Sequence, residues 1–151
     1  MEMLVKDIMT KGARTVTEET PVKEVASLMC LYRYSGLPVV DEEDRLIGFI
    51  AEKDVLAQLF PSVEDAMSGM ATIDLHEKVK EYAGLMNRKV KDLMTRGART
   101  VSPEMPILKA AIIMANNRFR RIPVAEGDKL VGMLSLGDIH KAIFHKSLTE
   151  G

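Results

Sequence analysis

The 151-residue sequence predicts an α/β (α+β) fold made of two pseudo-symmetric repeats, each a small β-sheet packed with two helices, joined by a helical linker. The first observation behind this prediction is an internal repeat, because residues 5–16 and residues 90–101 are identical at ten of twelve positions. The second is the order of patterns in each copy, where an amphipathic helix precedes two short apolar strands and another helix. A period this long, present only twice, indicates a duplicated unit rather than a solenoid.

The extent of the duplication sets the domain boundaries. The similarity continues to Phe60 in the first copy and Phe144 in the second, so repeat 1 is placed at residues 5–60 and repeat 2 at residues 90–144. Residues 61–89 have no counterpart, but an apolar helical stripe follows Asp74, a suitable N-cap. An ordered linker helix is expected, either a strap packed over the repeats or a helix that binds a partner or gates a site. The stripe consists of Leu75, Val79, Tyr82, Ala83 and Met86.

Each repeat opens with the same elements. A short helical lead-in at Val5–Met9 is ended by a glycine, and a brief extended segment follows around Thr15-Val16. Thr20-Pro21 then reads as an N-cap and a first helical residue. The helix after it, like its equivalent from Pro106 to about Asn117, carries one broad apolar face expected in the core. In repeat 1 this face comprises Val22, Val25, Ala26, Leu28, Met29 and Tyr32, with Cys30 expected as a small core residue among them.

A β-hairpin and a closing helix complete each repeat. In repeat 1, residues 37–40 and 46–51 are apolar enough for strands, and the acidic run 41–44 is predicted as a solvated turn rather than a metal site. The second helix is predicted at residues 53–60. The corresponding elements of repeat 2 are strands at 122–125 and 130–135 and a helix from about 136 to 144.

Composition narrows the classes of partner. A net charge of −1 with 28% charged residues predicts no general affinity for nucleic acid or for an anionic membrane. The basic run Arg118–Arg121 is short and has few aromatic residues near it, so a local surface or phosphate role is preferred to nucleic-acid binding. No stretch approaches the ~20 apolar residues of a membrane span, and Met1-Glu2-Met3 does not begin a signal peptide. A cytoplasmic location is expected.

Several short motifs recur in order in both copies: the lead-in V-K-D-I-M-T, the L-P-V and I-P-V strands, and a G-x-x-x-x-x-D turn. With them the sequence resembles tandem CBS domains (cystathionine-beta-synthase-type domains), a Bateman module, over residues 5–60 and 90–144. The resemblance implies two clefts between the repeats that bind an adenosine-containing ligand, such as AMP, ADP, ATP or S-adenosylmethionine. It implies no catalysis and no required cofactor. Because modules of this family usually pair, it also implies a homodimer.

The clearest candidate for ligand contact is the segment from Ser135 to Asp138. Ser135 lies where a strand is expected to pass into a helix, so free backbone N–H groups and the helix dipole would favour a phosphate. The Ser135 hydroxyl could donate to a ligand oxygen and Asp138 could accept from both ribose hydroxyls, which the resemblance gives as the usual roles. The pattern S-x-x-D is also close to a capping box, which stabilises a helix by ~1 kcal/mol without any ligand. The residues alone leave both interpretations open.

Repeat 1 departs from this pattern at Ala51, which has no hydroxyl, although Asp54 is kept to hold a ribose. Its site is therefore expected to be weaker or differently selective. Repeat 2 has two arginines before its first hairpin strand, where the family often places basic residues near phosphates, and repeat 1 has Ser35 and Gly36 there. The resemblance also implies that each cleft draws on both repeats. One cleft would combine Asp54 with Thr100, Ser102, Arg120 and Arg121, and the other would combine Ser135 and Asp138 with Thr15, Thr17 and Ser35.

These features favour a regulatory module that senses an adenosine-containing nucleotide and signals to an unidentified effector protein or across a dimer interface. The alternative is a structural dimerisation or partner-binding module without a ligand, which Ala51 and Gly36 favour. An enzyme is a third possibility, but the sequence has no nucleophile motif, no G-x-G-x-x-G and no Walker loop, so no catalytic residue is predicted. The three histidines are not spaced as metal ligands, and no metal site is predicted.

Overall fold

The computed structural model describes residues 2–59 and 74–150. It confirms the predicted mixed fold, in which a helix, two strands and a helix follow one another in each repeat. The elements, in chain order, are α1 (Val5–Ile8), α2 (Val22–Tyr32), β1 (Gly36–Val40), β2 (Leu46–Ala51), α3 (Glu52–Leu56), α4 (Leu75–Leu85), α5 (Val90–Leu93), β3 (Thr95–Arg96), α6 (Ile107–Asn116), β4 (Arg121–Glu126), β5 (Lys129–Ser135) and α7 (Leu136–Glu150).

The helix ends differ from prediction in several places, and Pro106, which was predicted to begin its helix, is the N-cap of α6. The N-cap of α2 is Pro21, not Thr20, because the Thr20 hydroxyl oxygen instead accepts a hydrogen bond of 3.0 Å from the Thr17 backbone N–H. Helix α3 ends at Leu56, and the predicted helix end at Phe60 lies outside the described residues. Helix α7 continues past residue 144 to Glu150.

The core face of α2 is confirmed at five of its predicted positions, but two other predictions for this helix are wrong. Cys30 is exposed, because at 100° per residue it lies about 140° around the helix from the fully buried Val25. Tyr32 is 63% exposed because it is the last residue of α2, and Arg33 then leaves the helix in the left-handed region with φ 58°. The buried positions are Val22, Val25, Ala26, Leu28 and Met29.

The chain forms two compact units whose membership differs from that of the sequence repeats. Unit 1 comprises Met1–Arg14, Val40–Ile47 and Gly97–Gly151, and unit 2 comprises Thr15–Val39 and Gly48–Arg96. The lead-in helix of repeat 1 thus belongs with most of repeat 2. The lead-in helix of repeat 2 belongs with most of repeat 1.

In unit 1, strands β4 and β5 form an antiparallel ladder with an irregularity between Val124 and Ala125. The lead-in docks through main-chain hydrogen bonds, from Val5 N–H to the Met105 carbonyl at 2.8 Å and in both directions between Thr10 and Met133 at 2.8 and 2.9 Å. The buried core of this unit therefore includes a residue of the lead-in. Its members are Val5, Val101, Ile107, Ala110, Met114, Ile122, Val124, Leu134 and Ile139.

In unit 2, the sheet has the strand order β1-β2-β3, and β3 pairs with β2 so that Thr95 lies opposite Phe49. The second lead-in docks as the first one does, since Val90 N–H donates to the Thr20 carbonyl at 2.9 Å. Val90 is fully buried, as is Val5 in unit 1. The two lead-ins therefore play equivalent structural roles, each in the unit that contains the body of the other repeat.

The linker helix is confirmed as α4, and the Asp74 side chain caps it by accepting from the His76 backbone N–H at 3.0 Å. Leu75 and Val79 on its predicted stripe are 77% and 58% exposed, and Leu85 is its buried residue. Because the buried residue lies at the C-terminal end of α4, only that end of the helix supports the interpretation as a strap packed over the repeats. Residues 61–73 of the linker lie outside the described part of the chain.

Candidate functional site

The turn between β5 and α7 in unit 1 is closed by two reciprocal hydrogen bonds. The Ser135 backbone N–H donates to Asp138 Oδ2 at 3.0 Å, and the Asp138 backbone N–H donates to Ser135 Oγ at 2.9 Å. The predicted capping arrangement is therefore present. It also leaves each side chain with spare capacity, because the Ser135 hydroxyl acts as an acceptor and keeps its own proton to donate. Asp138 Oδ1 has no hydrogen bond or ion pair among the described residues.

Basic residues lie at the same end of the hairpin. Arg121 is the cross-strand partner of Ser135, and the Leu136 backbone N–H donates to the Arg120 carbonyl at 2.9 Å. Arg120 is exposed and Arg121 is partly buried. The N-terminus of the 15-residue helix α7 begins at this point, so its positive dipole end adds to the two guanidinium charges.

The segment with Thr100 and Ser102 lies beside β4, because Val101 between them forms a parallel bridge with Val124. Thr100 is partly buried and Ser102 is exposed. Unit 1 therefore contains six of the ten predicted site residues, namely Thr100, Ser102, Arg120, Arg121, Ser135 and Asp138.

The equivalent turn of unit 2 keeps the carboxylate and lacks the hydroxyl. Asp54 Oδ2 accepts from the Ala51 backbone N–H at 2.8 Å, and Ala51 has no oxygen to return the bond. The Glu52 backbone N–H donates to the Ser35 carbonyl at 2.9 Å, as Leu136 does to Arg120 in unit 1. The hairpins of the two repeats thus have the same local geometry with different side chains.

The remaining predicted residues of unit 2 are threonines. Thr15 is partly buried next to Val16, which bridges Val39 of β1, and Thr17 is exposed. The hydroxyls of Thr17 and Thr20 lie 3.1 Å apart, so the Thr17 hydroxyl is engaged within its own turn.

Two combinations were predicted, Asp54 with Thr100, Ser102, Arg120 and Arg121, and Asp138 with Thr15, Thr17 and Ser35. Each pairs residues of different units and stays a prediction. Within unit 1 the structure instead groups Arg120 and Arg121 with the turn that carries Asp138. Sequence reasoning did not single out Phe49 in β2 or Glu52 at the start of α3, which lie on either side of Ala51. The signal that could have found them is the comparison with the residues that occupy the same positions in repeat 2.

The acidic turn between β1 and β2 is confirmed as a solvated turn. Backbone N–H donors of Arg45 and Glu43 and the Arg45 side chain, 2.8 Å away, hold the pKa of Asp41 below its ordinary value. Among residues 2–59 and 74–150, no three His, Cys, Asp or Glu side chains are grouped as metal ligands would be. None of the helices in these ranges has the length and apolar character needed to cross a bilayer.

Comparison with known sequences places these features in a family. The CBS domain model matches residues 5–60 and again residues 90–145, which together make up most of the chain. The chain therefore belongs to the CBS domain family and carries two tandem copies of the domain.

Individual relatives match this chain over nearly its whole length. The uncharacterized protein MJ1426 of Methanocaldococcus jannaschii is 29% identical over 93% of this chain and 91% of its own length. Inosine-5'-monophosphate dehydrogenase of the same organism is 31% identical over 93% of this chain, but the match spans only 22% of the dehydrogenase. The crystal structure of CBSX2 in complex with AMP, a protein of Arabidopsis thaliana, is 26% identical with a TM-score of 0.73 and covers 95% of this chain and 98% of that one.

Proposed function

We propose that this chain is a regulatory module that binds an adenosine-containing nucleotide at the Ser135–Asp138 turn of unit 1. The observation that carries the proposal is that the Ser135 hydroxyl proton and Asp138 Oδ1 are not used in the cap and lie at a turn beside two arginines. The Ser135 hydroxyl donates to a phosphate or ribose oxygen, and Asp138 Oδ1 accepts from ribose hydroxyls. Arg120, Arg121 and the start of α7 balance the phosphate charge.

The relatives support a ligand of this class and a regulatory role. CBSX2 binds AMP, and its match covers nearly all of this chain, so AMP is the first candidate among AMP, ADP, ATP and S-adenosylmethionine. In the dehydrogenase the matched region is a minor part of the protein, which supports a module that modulates rather than catalyses. Ligand binding shifts a conformational equilibrium only by its differential affinity for the two states. The effector protein that reads this shift is a binding partner still to be identified.

Calorimetric titration and thermal unfolding with AMP, ADP, ATP, GTP and S-adenosylmethionine test the proposal. A ligand at one hundred times its Kd adds ~2.7 kcal/mol, which raises the Tm of a chain of this size by roughly 5–10 °C. We expect such a shift for an adenosine compound and none for GTP. Asp138→Ala should abolish it.

A matched control separates ligand contact from helix capping. Asp92 accepts an equivalent bond of 3.1 Å from the Lys89 backbone N–H at the start of α5. Asp92→Ala therefore loses the same kind of cap bond as Asp138→Ala and should still bind nucleotide. Unchanged affinity in Asp138→Ala refutes the role of this carboxylate. No response to any compound, on protein free of co-purified nucleotide, would favour the ligand-free assembly module instead.

We further propose that the module is a homodimer that pairs through the outer faces of α6 and α7. Ile112 and Phe144 on these helices are 61% and 55% exposed, and Leu108 and Leu148 are 62% and 66% exposed. Apolar side chains exposed together on one pair of helices are typical of an interface. Light scattering after gel filtration should give a dimer that Ile112→Asp converts to a monomer. Leu75→Asp, at a residue 77% exposed on α4, is the control that should stay dimeric.

A further inference from the structure

We infer that His140 makes the pairing of two copies of this chain sensitive to pH, so that the dimer forms near neutral pH and separates as the pH falls toward about 5.5. This inference rests on the proposed homodimer, in which a second copy covers the outer faces of α6 and α7. It is independent of the proposed nucleotide site.

The outer face of α7 carries four large apolar side chains and one histidine. Ile139, which is 3% exposed, marks the opposite, buried side of this helix. At 100° per residue the four apolar residues span an arc of about 140°, and the exposed His140 lies near the middle of that arc. A second copy that covers these side chains therefore also covers His140. The apolar residues are Leu136, Ile143, Phe144 and Leu148, with exposed fractions of 37%, 43%, 55% and 66%.

The immediate surroundings of His140 contain no charge that could compensate a buried imidazolium. The residues three and four positions away on α7 are uncharged, namely Leu136, Gly137, Ile143 and Phe144. Among residues 2–59 and 74–150, His140 forms no hydrogen bond or ion pair. In a two-fold symmetric dimer the partner presents the same uncharged arc. A protonated His140 would therefore lose water at the interface without gaining an opposite charge.

The carboxylates of neighbouring elements are engaged elsewhere. Helix α7 packs against α6, β5 and α1. On α1, Asp7 accepts from the Leu4 backbone N–H at 2.9 Å, and Glu104, just before α6, is paired with Lys6 at 3.0 Å. On α7 itself, Asp138 is bonded in the cap and lies about 160° around the helix from His140. The other charged or titratable residues of these four elements are Lys109, Lys129, Lys141, His145, Lys146 and Glu150.

Proton uptake by this histidine favours the separate copies. Histidine is the side chain that ordinarily changes charge between pH 5 and 8, and only its neutral form enters an uncharged interface at low cost. Separated copies therefore bind more protons than the dimer, so acid weakens the dimer. One pH unit below the ordinary histidine value of ~6.5, protonation favours a separate copy about tenfold, and two histidines per dimer raise the dimer Kd by up to ~100-fold.

The test is sedimentation equilibrium of the full chain at pH values of about 7.5 and 5.5 and at constant ionic strength. We expect the dimer Kd of wild type to rise at least tenfold at the lower pH. His140→Gln keeps a polar side chain that cannot become charged, so its Kd should change less than twofold. His145→Gln is the matched control, because His145 lies about 140° around α7 from His140. This variant should keep the pH dependence of wild type.

Circular dichroism at both pH values shows whether each variant is folded, and Ile112→Asp provides the monomer reference. The inference is overturned if wild type is a dimer whose Kd rises less than tenfold or that does not separate at either pH. It is also overturned if His140→Gln keeps the pH dependence or if His145→Gln loses it. In these cases the proposed homodimer stands. If wild type is a monomer at the higher pH, the proposed homodimer fails and the inference fails with it.

Discussion

Replacing Val5 by alanine should destabilise the protein far more than its position near the start of the chain suggests. Val5 is fully buried in the core of unit 1. The substitution removes two methyl groups, each worth ~0.8 kcal/mol of burial, and the cavity left behind adds a further cost. The expected loss is about 2–3 kcal/mol, or roughly 5–10 °C in Tm for a chain of this length.

The assay is urea unfolding followed by circular dichroism, with Val90→Ala and Lys6→Ala as controls. Val90 is equally buried in the other lead-in, so the same substitution there should cost a similar amount. Lys6 is an exposed residue whose 3.0 Å ion pair with Glu104 should contribute less than ~0.5 kcal/mol. If Val5→Ala costs no more than Lys6→Ala, the lead-in behaves as a frayed terminus and its docking in unit 1 is refuted.

Three further predictions concern single residues. Ala51→Ser should add an N-cap hydroxyl that accepts from the Asp54 backbone N–H, so the Tm should rise by roughly 2–4 °C for ~1 kcal/mol, and a lower Tm would contradict it. Gly132→Ala should lower the free energy of unfolding in urea by about 1–3 kcal/mol, because the added Cβ would lie 2.8 Å from the Thr10 carbonyl oxygen. An unchanged free energy would show that the lead-in can shift to accommodate the added methyl group. Backbone N–H donors lower the pKa of Asp41 in the folded state, so the Asp41 carboxylate stabilises the fold above its ordinary pKa near pH ~4, and this stability is lost as the pH falls toward the folded pKa. The Asp41→Asn variant should therefore lose less stability than wild type over that acid range. Identical unfolding profiles in acid would refute this.

Local pattern was sufficient to predict most elements and the capping bonds at Asp74 and at Ser135. The helical spacing from Val22 to Met29 and the S-x-x-D sequence at Ser135 each correspond to a feature in the structure. Local pattern was misleading at the edges of the core, as with Cys30, because an apolar residue beside a buried stripe is assigned to it without knowledge of what packs there. The placement of Phe49 over Gly36 depends on a contact between strands, which no single strand encodes.

The assignment of each lead-in to a unit could not be predicted for a different reason. The two lead-ins lie within residues 5–16 and 90–101, which are identical at ten of twelve positions, so each lead-in carries nearly the same apolar and hydrogen-bonding groups. Either segment is chemically suited to either body. Chain connectivity and packing determine which lead-in packs in which unit, and a comparison of the two sequences gives no information about either.

The exchanged lead-ins bear on how such a chain could have arisen. In a single ancestral repeat that kept the present arrangement, a second molecule would have had to supply the buried residue of the lead-in, Val5 or its counterpart Val90. Two identical molecules that traded these segments would have been interdependent before any gene fusion. Duplication and fusion would keep the exchange within one polypeptide, so that each copy could diverge at positions such as Ala51 and Ser135 without losing its structural partner.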